Sequence, residues 1–137
     1  SSTSRGLGDV YKRQTTGRAR RCGWIDIPAL KYAINVNGVT QLMMMKADVL
    51  SGIKKIKACT HYELDGKKID YLPFEDNEKL IPIYKDLDGW EEDLMNLDSL
   101  YKAPETVHKY ISWLEQTLEV PISIVSVGPD RKQTFFR

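Results

Sequence analysis

The sequence has few of the residues that mark extracellular, zinc-bound or membrane proteins. Cys22 and Cys59 are its only cysteines and it has two histidines, so neither a disulfide scaffold nor a zinc site is indicated. The simplest interpretation of two such thiols is burial in a reducing compartment. The longest apolar run, at residues 42–45, is far shorter than the ~20 residues that span a bilayer, and the N-terminus has no apolar signal segment. We therefore expect a cytoplasmic protein with no membrane partner.

The chain has almost no net charge, but its charge is unevenly distributed. The formal net charge is +1, whereas residues 1–21 contain six basic residues and one acidic residue, a local charge of +5. The remainder therefore has a net charge of −4. A basic segment on an acidic body indicates an anionic ligand near the N-terminus, and taken alone it fits a nucleic-acid arm equally well.

Residues 1–14 differ in character from the rest of the chain. They have little apolar content and no periodicity, which predicts disorder. They also look like translated cloning or adapter sequence, so we expect them to be non-native and exclude them from the fold. The predicted folded unit is residues 15–137, which is long enough for one modest domain with a hydrophobic core.

Two helices are predicted from their end signals and apolar spacing. The first follows the N-capping residue Asp26, has Pro28 in its first turn and ends at Asn37 and Gly38. The second spans residues 104–118, where apolar side chains recur at helical spacing.

Strands are predicted from apolar runs and from alternation. Residues 40–45 and 121–127 are apolar runs typical of buried strands. Asp65 and Gly66 separate two alternating segments, which predicts a β-hairpin. The remaining predicted segments are hairpin strands at 54–62 and 68–72, a strand at 80–84 and irregular structure at 86–100. Strands that alternate with helices predict an α/β sheet, here with one appended hairpin.

Three polar motifs fall where an α/β protein binds ligands, at the carboxyl ends of strands or before a helix. Residues 46–48 follow the first predicted buried strand, and residues 126–131 end the last one. The third motif, the basic loop at residues 15–24, offers glycines, hydroxyls and guanidiniums suited to carboxylates or phosphates. A solvated basic loop fits that segment equally well.

The pair Lys46 and Asp48 has a chemistry suited to guanine. A carboxylate can accept two hydrogen bonds, from guanine N1–H and from the exocyclic N2 amine, while a lysine stem lies against the ring. Adenine does not present both donors in that arrangement, so an aspartate discriminates between the two purines. The spacing is common in proteins, and a solvated strand end is the alternative interpretation.

Taken in order, five segments resemble one enzyme family. They are TTGRARRCGW, KADVL, ELDGKKIDYLP, YKDLDGW and VPISIVSVGPDR, and with their spacing they are similar to the C-terminal portion of adenylosuccinate synthetase. The resemblance covers about residues 15–137, and the first and last segments are highly specific to the family. The chain departs from the family pattern at Ala19, usually proline or arginine, and at Ala47, usually a bulkier apolar residue.

The resemblance implies a fold and an activity. The fold is the C-terminal portion of a P-loop-NTPase-like mixed sheet flanked by helices. The activity is the GTP-driven ligation of IMP and L-aspartate to adenylosuccinate in purine biosynthesis, with Mg²⁺ required and a homodimer as the full-length state. The family's phosphate loop, catalytic aspartate and catalytic histidine lie in an N-terminal portion that has no counterpart here. No catalytic or metal-binding residue is therefore assigned.

The resemblance also assigns binding residues. A mobile loop that takes up the aspartate carboxylates and IMP corresponds to Thr15, Thr16, Gly17 and Arg18. The residues that correspond to GTP contacts are Arg20, Lys46, Ala47, Asp48, Ser126, Val127 and Gly128.

Two other interpretations stay open. A small basic-armed RNA-binding module would need aromatic residues among the basic ones for base stacking, and only Tyr11 and Trp24 are available. The chain could also be a structural fragment without activity of its own. As ligands of this protein we expect IMP, L-aspartate and GTP, and we expect no nucleic acid.

Overall fold

The computed structural model describes residues 22–74 and 78–137 in full, together with the backbone of Tyr11–Lys12 and Ala19–Arg20. These two short segments form an antiparallel pair, in which Tyr11 lies opposite Arg20. The rest of residues 1–14 lies outside the described part, so the prediction that this segment is disordered and non-native stays a prediction.

Both predicted helices are present. Helix α1 spans Ile27–Asn37, and its cap is as predicted, since an oxygen of Asp26 accepts from the Ala29 N–H at 3.2 Å. It ends at Gly38, whose left-handed φ of 62° suits glycine. Helix α2 spans Glu105–Leu118 and buries one face in the core, through Val107, Tyr110, Ile111, Leu114 and Leu118.

The strands form two main sheets and one small ribbon. The ribbon pairs β1 (Tyr11–Lys12) with β2 (Ala19–Arg20). The bounds of the other seven strands are β3 Ile25–Asp26, β4 Leu42–Met44, β5 Ile53–Leu64, β6 Lys67–Ile69, β7 Ile81–Trp90, β8 Ile122–Ser126 and β9 Thr134–Phe136. In the larger sheet, the long strand β5 pairs in parallel with β3 and antiparallel with β6 and β7. In the second sheet, β8 lies between β4, to which it is parallel, and β9, to which it is antiparallel.

The predicted α/β class and the appended hairpin are both confirmed. Asp65 and Gly66 connect β5 to β6 with φ values of 52° and 78°, the two positive angles that a tight hairpin turn requires. One buried core, formed by residues of both helices and of both sheets, holds the elements together.

The prediction of irregular structure at residues 86–100 was wrong for residues 86–90, because β7 continues to Trp90, and it holds for residues 91–99, which form no helix or strand. Two exposed ion pairs explain the acidic residues in this strand: Lys55 contacts Asp88 at 2.5 Å and Lys57 contacts Asp86 at 3.0 Å. These aspartates lie directly opposite the lysines in the register of β5 and β7. The acidic composition therefore belongs to the solvent face of a strand.

One further prediction about strands needs correction, and one strand was missed. The run at residues 40–45 was expected to be buried, but the strand is limited to Leu42–Met44, and the side chains of Met43 and Met45 are 60% and 58% exposed. Strand β9 was not expected at all. Its pairing with β8 is a contact across a turn that includes the short 3₁₀ helix Arg131–Gln133.

Candidate functional site

The pairing of β4 with β8 brings two of the three polar motifs together. The strands are parallel, with Met44 opposite Val125, so their carboxyl ends meet at the same edge of the sheet. Lys46 follows the end of β4, and Ser126 is the last residue of β8. Both line one cavity of about 200 Å³. Its other lining residues are Met45, Asp48, Gly128, Pro129, Asp130, Arg131 and Thr134.

The segment after β4 turns sharply into this cavity. Lys46 has a left-handed backbone (φ 60°, ψ 40°), a conformation that costs a non-glycine residue free energy and that clusters at functional sites. The chain then forms a 3₁₀ turn over Ala47–Leu50, which buries Ala47 in the core. The buried Ala47 anchors the turn, while Lys46 and Asp48 on either side face the cavity.

Asp48 presents an unsatisfied acceptor. Its Oδ1 atom is buried and has no hydrogen-bond partner among the described residues. A buried carboxylate oxygen without a donor costs on the order of 1–3 kcal/mol, so proteins seldom leave one unpaired without a functional reason. A ligand with an N–H group placed in the cavity would supply the missing donor.

The opposite wall is a short loop after β8, held by its own hydrogen bonds. Ser126 donates its hydroxyl to the carbonyl of Gly128 at 3.0 Å, and the Val127 N–H donates to the carbonyl of Gln133 at 2.8 Å. Val127 between them is fully buried and does not line the cavity, so the wall is formed by its neighbours Ser126 and Gly128. The loop then passes through Asp130, which caps the 3₁₀ helix Arg131–Gln133.

Most of the basic loop lies outside the described residues. Thr15, Thr16, Gly17 and Arg18 lie outside the described residues, and only the backbone of Arg20 is described, in β2. Their assignments to the aspartate, IMP and GTP sites stay predictions.

The segment that follows the basic loop is fixed to the larger sheet by a polar contact. Tyr62 on β5 donates its hydroxyl to Asp26 at 2.5 Å, and Asp26 also caps α1. Burial, together with the Asp26 carboxylate, raises the pKa of the Tyr62 hydroxyl. Burial and the same carboxylate raise the pKa of the Cys59 thiol to about 11, so this thiol is neutral at physiological pH. Cys22 and Cys59 are both free thiols.

A second cavity of about 360 Å³ shares Met45 and Lys46 with the first. Its lining is mostly apolar and includes Trp24, Met44 and Ile56. It therefore offers no constellation of polar groups around a reacting atom. Of these two cavities, the smaller one has the more polar lining, with Lys46, Asp48, Ser126, Asp130, Arg131 and Thr134.

Neither a metal centre nor a membrane helix is found in residues 22–74 and 78–137. No group of three or more histidine, cysteine, aspartate or glutamate side chains converges there in a way that could hold a metal ion. Likewise, no helix of this part combines the length and the apolar character needed to cross a bilayer.

Sequence reasoning missed one residue that organises the cavity wall. The side chain of Gln133 accepts from the Asp130 N–H at 2.8 Å and forms a reciprocal capping box with Asp130. The signal was present, because aspartate followed three residues later by glutamine is the pattern of such a box. Asp130 and Arg131 were seen only as part of a strand-ending motif, and both line the cavity.

The comparisons with known proteins agree on one family. The family model described as adenylosuccinate synthetase matches residues 4–135. A curated adenylosuccinate synthetase from Christiangramia forsetii is 54% identical over 124 residues, which cover 90% of this chain and 29% of that protein. Another from Phocaeicola vulgatus is 53% identical over 133 residues, 97% of this chain and 31% of the relative.

A solved structure supports the same relation. The structure titled fully ligated adenylosuccinate synthetase from Plasmodium falciparum superposes with a TM-score of 0.86 at 32% sequence identity. The match covers all of this chain and 34% of that one. The chain thus spans about a third of the length of the relatives it matches. By sequence and by fold, it belongs to the adenylosuccinate synthetase family.

Proposed function

We propose that this chain is part of an enzyme that joins IMP to L-aspartate, with hydrolysis of GTP, to form adenylosuccinate in purine biosynthesis. Family membership supports the reaction class, a ligase that forms a C–N bond. The chain spans about a third of its relatives, so we assign to it the recognition of substrates and not the chemical step.

The observation on which the proposal mainly rests is the buried, unpaired Oδ1 of Asp48 in the cavity between β4 and β8. Guanine offers two adjacent donors, N1–H and the N2 amine, to a carboxylate in that position. The cavity of about 200 Å³ is smaller than the roughly 300–1,000 Å³ of typical ligand pockets, which suits the base end of a nucleotide. The ribose and phosphates would extend towards the rest of the protein.

The other residues of this cavity have roles consistent with a base. The stem of Lys46 lies beside the base plane. Ser126 and Gly128 close against the opposite edge, and Val127 supports them from within the core. Ala47 sets the position of the two flanking side chains, since it is buried in the core.

The basic loop takes up the other two substrates in this proposal. Thr15, Thr16 and Gly17 contact L-aspartate through hydroxyl and backbone groups, and Arg18 binds its carboxylates and reaches IMP. Arg20 contacts GTP. Guanidinium groups suit these ligands because they form paired hydrogen bonds with carboxylates and phosphates.

Mg²⁺ belongs to the proposed reaction, but the described residues do not form a site for it, because no cluster of three potential ligands is present among them. No step of the proposal is assigned to a metal held by this chain. A cytoplasmic location and a homodimeric complete enzyme complete the proposal. The two free thiols fit a reducing compartment.

A chimera tests the proposal. Residues 15–137 replace the matching segment of the Phocaeicola vulgatus relative, which aligns over nearly the whole chain. We expect the chimera to form adenylosuccinate from IMP, L-aspartate and GTP with kcat/KM within about tenfold of the parent, a difference of ~1.4 kcal/mol. Adenylosuccinate is measured by its absorbance change.

Two controls accompany the chimera. The parent enzyme without this segment and the 137-residue chain alone should both be inactive, because each lacks part of the site. A folded chimera that makes no product, beside an active parent, would contradict the proposed function.

A further inference from the structure

Hydrogen bonds from four groups of Gln133 converge on the loop that forms one wall of the proposed guanine cavity. Its carbonyl accepts from the Val127 N–H at 2.8 Å, and its own N–H donates to the Asp130 carbonyl at 2.9 Å. Its side-chain Oε1 accepts from the Asp130 N–H at 2.8 Å, and its Nε2 donates to the Met95 carbonyl at 3.0 Å. One residue thus joins the start and the middle of the loop to a separate segment of the chain.

The segment that receives Nε2 is itself firmly held. The Met95 N–H donates to Asp93 at 2.9 Å, and the neighbouring Leu94 is fully buried in the core. The contact from Gln133 to Met95 therefore ties the loop to a part of the molecule that is anchored independently of β8.

The side-chain amide of Gln133 also packs directly against the backbone of the cavity wall at Gly128. A Cβ atom added to Gly128 would lie 2.2 Å from Oε1 of Gln133, so the loop backbone packs directly on this side chain. Gly128, Asp130 and Arg131 line the cavity, whereas Gln133 lies behind them and is not part of the lining. Its influence on a bound base would be exerted through the wall.

We propose that Gln133 is a positioning residue for guanine binding, whose side-chain amide holds the wall from Gly128 to Arg131 at the distance the base requires. The inference rests on the proposed function, which makes this cavity the guanine site. If Gln133 had a purely structural role, it would stabilise the C-terminal strand and its loss would have no specific effect on GTP binding.

Three variants of the chimera separate these roles. Gln133→Ala removes both side-chain hydrogen bonds. Gln133→Glu keeps an oxygen that accepts from the Asp130 N–H and loses the donor to Met95, so it retains the capping box alone. Lys132→Ala is the matched control, because it truncates an exposed neighbour in the same turn and leaves the Lys132 N–H bond to Asp130 in place.

The readout is the KM for each of the three substrates. In Gln133→Ala we expect the KM for GTP to rise about tenfold, as the loss of one or two hydrogen bonds predicts, while the KM values for IMP and L-aspartate stay within about twofold. Gln133→Glu should recover only part of the GTP affinity, because one oxygen still accepts from the Asp130 N–H while the other faces the Met95 carbonyl. Lys132→Ala should match the unmodified chimera.

The outcomes distinguish this inference from the proposed function. An unmodified chimera without activity would remove the proposed function and the positioning role together. An active chimera whose Gln133→Ala variant keeps its KM for GTP within twofold overturns the positioning role alone. A similar rise in all three KM values would also overturn it, since that is the pattern of a general structural defect.

Discussion

At the scale of single residues, the backbone geometry at a few positions explains why particular amino acids stand there. Lys46 adopts a left-handed backbone beside the cavity even though glycine would adopt it at lower cost. The presence of lysine at this position is consistent with the proposed contact to guanine. Gly128 shows the opposite case, because a Cβ atom there would displace the Gln133 side-chain amide from its present position.

Gly89 provides the clearest test of a steric constraint. A Cβ atom at this position would lie 1.7 Å from the carbonyl oxygen of Ile53, so β5 and β7 could pair only after their backbones moved apart. We expect Gly89→Ala to lower the free energy of unfolding by about 3 kcal/mol, at the upper end of the range for overpacking, because the obstacle is backbone. Urea unfolding of the 137-residue chain measures the change.

Gly38→Ala is the matched control for that prediction. Gly38 has a left-handed φ of 62°, and an added Cβ would meet no atom within 4 Å, so the substitution should cost only about 1 kcal/mol of conformational strain. Equal losses for the two variants would show that the close approach at Gly89 does not determine the packing of β7.

At the scale of elements, one partly buried ion pair connects α2, β8 and the C-terminus. Glu115 on α2 accepts from the Ile122 N–H at 2.7 Å and from Arg137 at 2.8 Å. Partial burial raises the pKa of the Glu115 carboxyl, but the hydrogen bonds from Ile122 and Arg137 and the charge of Arg137 outweigh it. The net pKa therefore lies below the usual value of 4.5. Folding is thus linked to the ionisation of this side chain.

The direction of the pH effect follows from that lowered pKa. The carboxylate stabilises the fold above about pH 4.5, and this contribution is lost as the pH falls through the lower folded-state pKa. We expect the free energy of unfolding of the wild-type chain to decline more steeply between about pH 5 and 3 than that of Glu115→Gln. Urea unfolding across this pH range tests the difference.

Glu105→Gln is the control for the ion pair, because its partner Lys109 lies 3.5 Å away and both side chains are largely exposed. Exposed pairs contribute little to stability, so this variant should follow the wild-type curve. A Glu115→Gln curve that also coincides with wild type would show that the link between α2 and Arg137 does not stabilise the fold.

The elements that could be predicted from the sequence are those whose signals are local. Helix α1 and the β5–β6 hairpin were predictable because their signals, the Asp26 cap and the Asp65–Gly66 turn, are local. The C-terminal half of β7 was not, because its acidic residues make sense only opposite lysines some 30 positions earlier in the chain. Strand β9 likewise depends on its pairing with β8, which no local pattern indicates.

The candidate site was predictable in part for a related reason. Lys46, Asp48 and Ser126 were found because polar residues after buried strands mark the ligand-binding edge of an α/β sheet. That β4 and β8 are direct neighbours could not be read from the chain, since strand order is set by packing over a separation of about 80 residues. Gln133 was overlooked although its capping-box pattern with Asp130 is local, and only its contact to Met95, 38 residues away, is tertiary.

At the scale of the whole molecule, the chain presents one side of the proposed binding site. The cavity is assembled from two distant segments and held by a loop fastened to a third. Met43 and Met45, next to the cavity, are exposed. This arrangement is consistent with a chain that spans about a third of its relatives, in which other parts of the protein complete the site.

The central claim is that Asp48 recognises guanine, and nucleotide preference tests it most directly. In the chimera, Asp48→Asn keeps one acceptor but turns the other into a donor that faces the N2 amine of guanine. Xanthosine triphosphate has a carbonyl at that position, which satisfies the new donor. Asp130→Asn is the matched control, because it makes the same change in the same cavity. Asp130 is the residue that caps the 3₁₀ helix Arg131–Gln133.

The measurement is kcat/KM for GTP and for xanthosine triphosphate in both variants. The account predicts that Asp48→Asn loses about tenfold or more in kcat/KM for GTP, since an unpaired buried polar group costs about 1–3 kcal/mol, and that its preference shifts towards the xanthine nucleotide. Asp130→Asn should keep the original ratio between the two nucleotides. An unchanged ratio in Asp48→Asn would contradict the assignment of this cavity to guanine.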